Sequence, residues 1–458
     1  MISSLPTIAK AAEQIRAGEI SPVDLVEFCL SRIEQYEDRI HAWVLVDADG
    51  AREEATRQAD MLELGFELGP LAGIPIGIKD IIDVAGWPTK AGSPLREGHL
   101  AKIDAPLVRY LRDAGAIILG KTVTTQFASF DPPPTRNPWN LDRTPGGSSS
   151  GSAAAVALGM CMAAIGSQTG GSIIRPASYC GVAGLKPTFG RVSLDGVVPL
   201  SEQLDHAGPI ARCVNDLTAM FSAIGNFIEG LHASPTLDAF DHQPIDPFGF
   251  EKLESAPPPR RFLAIESYFM EQATPEVRSI TRLALAKLQD AWSEGQVFGL
   301  PTSFDEVHVQ HYRVMAYGAA EYHRQNHAAN KTAYAPNIAK LIEDGLATTR
   351  EAYLAALNHQ QQFQADVETM LSGGSIAVMP STSTTAPSRE TTGDPKFNSP
   401  WSYSGHPSIT IPCGLATDGM PCGLQLVAPH NSEARLLQAA AWCEERIGFE
   451  LRPSLLDD

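Results

Sequence analysis

The stretch Ile74-Pro75-Ile76-Gly77-Ile78 runs directly into Lys79-Asp80. Five residues this apolar read as a short strand inside a sheet. A lysine at the end of such a strand carries an ammonium that is costly to bury. The fold must therefore build a sheet around this segment and accommodate Lys79 at its edge.

Other strand-like runs lie at 114–120, 162–165, 407–412 and 423–427. Between them the pattern is helical. Ser21-Pro22-Val23-Asp24 has a hydroxyl cap, a proline in the first turn and an acid three residues after the cap, which marks a helix start. Leu25, Phe28, Cys29, Ile33 and Tyr36 then recur at helical spacing. Further helices are expected at 49–63, 104–113, 152–159, 276–293, 317–329, 350–370 and 432–447, and 230–249 reads as a polar, proline-rich surface excursion. No internal repeat is present. Strands in the first and last thirds with helices between them favour one α/β domain, its mixed sheet covered on both faces.

Composition narrows the function class. Hydrophobic residues make up 43% of the chain, enough for a large core, yet no run of about 18 apolar residues suggests a membrane span. Met1-Ile2-Ser3-Ser4-Leu5-Pro6 lacks the basic segment and apolar core of a secretory signal. A net charge of −18 argues against a nucleic-acid or anionic-membrane surface, which needs clustered Lys and Arg. The seven cysteines are odd in number and none forms a C-x-x-C pair. They read as reduced, mostly buried thiols of a cytoplasmic protein, with no metal site among them.

Two further fragments join Lys79. Gly146-Gly147-Ser148-Ser149-Ser150-Gly151-Ser152 combines a permissive backbone with several unshielded hydroxyls. Gln168-Thr169-Gly170-Gly171-Ser172-Ile173-Ile174-Arg175-Pro176 sets two glycines before a serine, so that consecutive backbone N–H groups can converge beside its hydroxyl as an oxyanion site requires. A Gly/Ser loop alone is usually a flexible turn; the three fragments together are not so easily dismissed. A serine needs a base to act as a nucleophile at neutral pH, and no histidine lies in these loops. A desolvated lysine can be neutral and accept the proton.

In these fragments the chain resembles the amidase signature family, which includes fatty acid amide hydrolase, malonamidase and the A component of tRNA-dependent amidotransferases. The match continues through Gly120-Lys121-Thr122, Asn137-Pro138-Trp139-Asn140, Gly184-Leu185-Lys186-Pro187-Thr188, Asp205-His206-Ala207-Gly208-Pro209, Asn398-Ser399-Pro400-Trp401, Pro412-Cys413-Gly414 and Gly423-Leu424-Gln425-Leu426-Val427. The resemblance implies a single-domain α/β/α sandwich over residues 1–458 around a mixed, mostly parallel twisted sheet. About 70–215 would form the catalytic core, and a more variable helical region, about 230–393, would shape the pocket rim. It further implies a Ser–cis-Ser–Lys triad: Ser172 as nucleophile, Ser148 as the bridging serine after a cis bond to Gly147, and Lys79 as base. Oxyanion donors would be the N–H groups of Thr169, Gly170, Gly171 and Ser172, with Gly147, Ser149 and Arg175 as substrate contacts.

The sequence departs from the family at Gln168 and Ile174, where many members carry an acid and an arginine; an ion pair is replaced as a unit. The arginine stands one place later, at Arg175, as in malonamidase-like members. Two roles are open to it, anchoring a substrate carboxylate and structural pairing beneath the loop. The stretch 127–136 is shorter and richer in proline than in the A components of tRNA amidotransferases, which speaks against that reading.

Three decoys are set aside. Gly115–Thr122 fits the phosphate-loop spacing G-x-x-x-x-G-K-[ST], but Ala-Ile-Ile-Leu would be the buried strand itself rather than a flexible cradle. His323 and His327 have zinc spacing without a third ligand and read as surface or packing residues. The segment 262–270 reads as core and pocket wall. The expected activity is hydrolysis of a C–N amide bond of a small substrate through a Ser172 acyl-enzyme, without metal or cofactor. Carbamate, aryl-acylamide or ester hydrolysis on the same triad is one alternative. The A component of a glutamine-dependent tRNA amidotransferase is the other. A small-molecule amide or carbamate is the expected partner, with no nucleic acid and no membrane, and a homodimer is the expected assembly.

Overall fold

Ile76 and Ile78 are fully buried, and Lys79 after them is buried as deeply. In a computed structural model, which describes residues 4–225, 261–289 and 299–456, this segment is strand β2 (Pro75–Lys79), an interior strand of a ten-stranded mixed sheet. The others are β1 (Trp43–Val46), β3 (Ile117–Thr122), β4 (Ala163–Gln168), β5 (Ala183–Lys186), β6 (His206–Ala211), β7 (Phe262–Ala264), β8 (Ile376–Pro380), β9 (Ser408–Leu415) and β10 (Pro421–Val427). Their order across the sheet is β1-β3-β2-β4-β6-β5-β9-β10-β8-β7.

Side-chain alternation splits the core in two. Ile118 of β3 and Ile165 of β4 join one apolar cluster, whereas Ile117, Leu119 and Ala164 join another. Neighbouring residues of a strand face opposite sides, so the clusters lie on the two faces of the sheet. Helices Pro22–Ile40, Ala48–Glu63 and Ser150–Ala157 cover one face through Cys29, Ala55 and Ala154, among others. Helices Pro106–Asp113, Val214–Ile224 and Glu433–Ile447 cover the other through Leu111, Leu217 and Leu437. The architecture is the expected α/β/α sandwich.

The sheet is mixed but not mostly parallel. Among the described residues β2–β3, β2–β4 and β7–β8 pair parallel, and the other six ladders are antiparallel. Strands buried on both faces read as apolar runs whichever way they point. Direction comes from the connections, such as the short turn that makes β9 and β10 a hairpin.

Local signals held where chemistry fixed them. Ser21 accepts from the Asp24 amide at 3.1 Å while Asp24 accepts from the Ser21 amide at 2.9 Å, the expected capping box. The helix Arg350–Met370 has the bounds the sequence predicts. Other elements differ. The helix expected from 317 begins at Val307, because buried Val307, His311 and Val314 continue its inner face through a histidine-rich turn. β4 runs three residues past 165, to Gln168, since pairing with β6 carries it on. Strands β1, β5, β6, β7 and β8 have no counterpart among the expected strands, being short or interrupted by glycine and proline. The expected excursion at 230–249 and the end of the helix expected at 276–293 lie outside the described residues.

Candidate active site

Parallel β2 and β4 are neighbours, with Ile78 beside Ile165, so both deliver their C-terminal ends to one edge of the sheet. There Lys79 meets Ser167. Between them runs the 146–149 loop, which leads into helix Ser150–Ala157. The Gly147–Ser148 peptide bond is cis, as the family resemblance implies.

Lys79 Nζ lies 2.6 Å from Ser148 Oγ, 2.8 Å from Ser167 Oγ and 3.1 Å from Ser149 Oγ. The lysine is fully buried, and burial holds its amine well below the ordinary lysine range, against the opposing pull of the Asp205 carboxylate. An uncharged amine has two N–H groups and one lone pair. It therefore matches three hydroxyls when one of them donates, and Ser148, the closest, is suited to that part. Ser149 cannot be the donor, because its proton goes to the Ser167 carbonyl at 3.2 Å while it also accepts from the Ser167 amide at 3.1 Å. That saturates the Ser149 hydroxyl. Its expected substrate contact does not fit this arrangement; it fastens Lys79 instead.

Ser172 is brought in by its backbone. The Ser149 amide donates to the Ser172 carbonyl at 3.3 Å, so the residue after Ser148 is tied to the nucleophile candidate. The neighbouring carbonyls are engaged too. Thr169 O accepts from His311 Nε2 at 3.0 Å, Gly170 O from Ser402 Oγ at 3.0 Å and Gly171 O from the Arg175 amide at 2.9 Å. In a trans peptide the next N–H points opposite the carbonyl. Fixing these three carbonyls thus turns the N–H groups of Gly170, Gly171 and Ser172 away from His311, Ser402 and the Arg175 amide. Thr169 is held through its side chain, which donates to Asp205 Oδ1 at 2.5 Å. Asp205 also accepts from the Leu200 and Ser201 amides at 2.8 and 3.0 Å. Burial raises its carboxyl to about 6 even so.

The departures at Gln168 and Ile174 have a structural reading. Gln168 Oε1 accepts from the Ile173 and Ile174 amides at 2.9 and 3.0 Å, and its Nε2 donates to Ser402 Oγ at 3.0 Å. A neutral amide thus caps the short helix Ile174–Tyr179 and needs no arginine partner.

Arg175 is fully buried. Its Nη2 donates to Gly147 O at 2.7 Å and lies 3.4 Å from Thr392 Oγ1, whereas Nε and Nη1 have no hydrogen-bond partner. One edge of the guanidinium braces the cis loop and the other is unengaged. A cavity of about 270 Å³ opens over Thr392 and Gly393, lined also by Phe130, Tyr312 and Glu390. Thr392 is also the residue a side chain at Gly147 would strike. A larger cavity, about 1020 Å³, lies by the chain ends around Leu5, Phe28 and Phe449 and touches none of Lys79, Ser148 or Ser172.

The decoys resolve on geometry. Lys121 of the phosphate-loop pattern is a buried strand residue paired with Asp80 at 3.0 Å. His323 and His327 are buried packing residues against Tyr334, and His323 also packs edge-on against Phe127. Of the seven cysteines, six are buried and none is bonded to another. Tyr268 and Phe269 pack with Phe304 and Phe397 in an aromatic cluster, the core part of the expectation for 262–270. Ser167, Asp205, His311 and Ser402 support the site without having been given a role from the sequence. Ser167 carried a local signal, a hydroxyl next to the glycine-rich loop, and Asp205 stands in one of the segments that match the family; His311 and Ser402 converge only in three dimensions. No helix among the described residues is long and apolar enough to cross a membrane.

The amidase family model matches residues 24–437. The chain is 31% identical to the A component of glutamyl-tRNA(Gln) amidotransferase from Syntrophus aciditrophicus (strain SB), over 98% of this chain and 99% of that protein. Among solved structures, the peptide amidase from Stenotrophomonas maltophilia superposes with a TM-score of 0.82 at 28% identity, covering 98% of both chains. An inhibitor-bound vestigial protein complex that reveals the evolutionary origins of an s-triazine catabolic enzyme gives a TM-score of 0.88 at 28% identity, over 98% of this chain and 100% of that one.

Proposed function

The chain belongs to the amidase family, and on that premise we propose that it cleaves an amide C–N bond through a Ser172 acyl-enzyme. The observation that carries this reading is the buried Lys79 amine, depressed by desolvation and 2.6 Å from Ser148 Oγ. Ser172 Oγ attacks the amide carbon while its proton passes to Ser148 Oγ, whose own proton passes to the Lys79 lone pair. The developing oxyanion is met by the N–H groups of Gly170, Gly171 and Ser172. As the C–N bond breaks, the proton returns from Lys79 through Ser148 to the leaving nitrogen. Water then attacks the ester carbon and the same relay takes up its proton; as the acyl C–O bond breaks, that proton returns through Ser148 to Ser172 Oγ, and the carboxylic acid leaves. None of these steps needs a metal or cofactor.

The test is intact-mass detection of the adduct formed with a fluorophosphonate, localised by peptide mapping. The adduct should appear on Ser172, vanish in Ser172→Ala and persist in Cys180→Ala, where burial already pushes the thiol up and out of reactivity. Labelling at another residue rejects the assignment.

A second reading is favoured by the sequence relatives. The A components of glutamyl-tRNA(Gln) amidotransferases align at 30–33% identity along nearly their whole length, against the expectation drawn from the short 127–136 stretch. In that role the same acyl-enzyme would form on glutamine, and the ammonia would pass to a partner. Glutamine-dependent ammonia release that rises when partner proteins co-purify supports it; turnover of small amides by the isolated chain, unchanged by any partner, rejects it.

A further inference from the structure

We propose that Glu368, His406 and His430 form a binding site for one divalent metal ion of the zinc class. The three residues come from separate elements. Glu368 sits in the last turn of helix Arg350–Met370. His406 precedes β9 and His430 follows β10, and the antiparallel register that sets Ser408 opposite Val427 brings both histidines to the same end of the hairpin.

Glu368 Oε2 lies 3.0 Å from His406 Nε2 and 3.3 Å from His430 Nδ1, and the three candidate ligand atoms lie within 4.8 Å of one another. A tetrahedral ion bonded at about 2.0–2.2 Å holds its ligand atoms roughly 3.3–3.6 Å apart, so small side-chain adjustments admit it. Two imidazoles and a carboxylate, with no thiolate, are a donor set suited to zinc and its neighbours.

Proton placement makes the case sharper. His430 Nε2 lies 3.0 Å from the Ser404 carbonyl, which can only accept, so that nitrogen carries the hydrogen. In the neutral ring Nδ1 is then a bare lone pair, and it faces a carboxylate oxygen. Two lone pairs 3.3 Å apart call for a cation between them, a proton or a metal. A carbonyl on the far nitrogen is also how metal-binding histidines have their tautomer fixed. His406 Nδ1 has no hydrogen-bond partner and its Nε2–H donates to Glu368 Oε2 at 3.0 Å, so an incoming ion would take the place of that proton and leave Nδ1 free to carry it. The buried Lys186 amine is the opposing cation on the His406 side; it donates to Pro187 O at 3.0 Å, and burial lowers it to about 7.

There is also a route in and a fourth position. A cavity of about 600 Å³ is lined by Glu368 and His430 together with Gln360, Gln364, Ser402 and Gly405, leaving room for a water or an exogenous ligand. Ser402 in this wall is the residue that binds Gln168 Nε2 and the Gly170 carbonyl. An ion here would brace the far side of the glycine-rich loop. The proposal does not depend on the reaction assigned to Ser172.

The experiment uses the full chain, stripped with a chelator and titrated with zinc against a chromophoric competitor, with thermal unfolding and cobalt substitution in parallel. The wild type should bind one equivalent at micromolar Kd or tighter, gain a few degrees in Tm with zinc, and show visible d–d absorption with cobalt. His430→Ala and Glu368→Gln should weaken that equivalent at least about tenfold and lose the Tm gain and the absorption. His430→Gln serves if His430→Ala fails to fold. A wild type that binds no zinc, or variants that keep the equivalent and the Tm gain, overturns the proposal.

Discussion

Gly166 lies so close to Ser149 that a Cβ on it would fall 2.8 Å from the Ser149 hydroxyl and 3.1 Å from its Cβ. That hydroxyl is one of the three that hold Lys79. The glycine thus lets the serine loop pack flat on β4. Gly166→Ala should push Ser149 away and cost about 1–3 kcal/mol of stability. It should lower kcat/KM by about tenfold or more through a displaced Lys79, with the fold intact by circular dichroism. Unchanged kinetics would remove Ser149 from the support of the base.

The acid limb of the pH–rate profile tests the base itself. Lys79 must be neutral to accept a proton, so kcat/KM should fall as pH drops through its lowered pKa. The Asp205 charge raises that pKa. Asp205→Asn should therefore move the limb to lower pH, while kcat also drops because an NH2 group replaces one of the two carboxylate oxygens that hold Thr169 and the Leu200 and Ser201 amides. The same carboxyl links stability to pH. Raised from 3.8 to about 6 in the folded state, it contributes stability that is present below 3.8 and lost as pH rises through 6. Asp205→Asn should flatten that part of a Tm–pH curve.

Gln168 and Ile174 form a pair that a double-mutant cycle can probe. Gln168→Glu keeps the acceptor for the two helix amides but loses the N–H donor to Ser402 and buries a charge without a partner. It should destabilise by roughly 1–3 kcal/mol. Ile174→Arg alone should also destabilise. The double variant, which restores the pairing many relatives use, should recover part of the loss, and calorimetric unfolding of all four proteins checks it. Strict additivity would show that the two positions do not couple.

Arg175 has two edges to test. Because Nη2 holds the Gly147 carbonyl, Arg175→Ala should slow turnover of neutral amides by about tenfold through the cis loop. If the unengaged Nε and Nη1 bind a substrate carboxylate, acidic amides should lose roughly a further tenfold or more. A substrate panel of matched acidic and neutral amides separates the two. Equal loss on both confines Arg175 to the brace.

Much of the candidate site was legible in the chain because its signals are local. A lysine ending an apolar run, paired glycines before serines, and a capping serine three residues from an acid are patterns whose physics is fixed by near neighbours. Lys79, Ser148 and Ser172 are singled out by them together with the family resemblance, and the fold sets Lys79 Nζ 2.6 Å from Ser148 Oγ. What only the tertiary structure decided are the relationships between distant segments. Strand direction is one, since buried strands look alike in sequence whether parallel or not. The support of the glycine-rich loop is another, with Asp205, His311 and Ser402 arriving from as far as 232 residues away in the chain. The same holds for Ser149, whose hydroxyl in the sequence could face a substrate and in the fold is saturated by Lys79 and Ser167. A side chain's partners depend on which atoms packing leaves beside it, and that is settled only when the sheet closes.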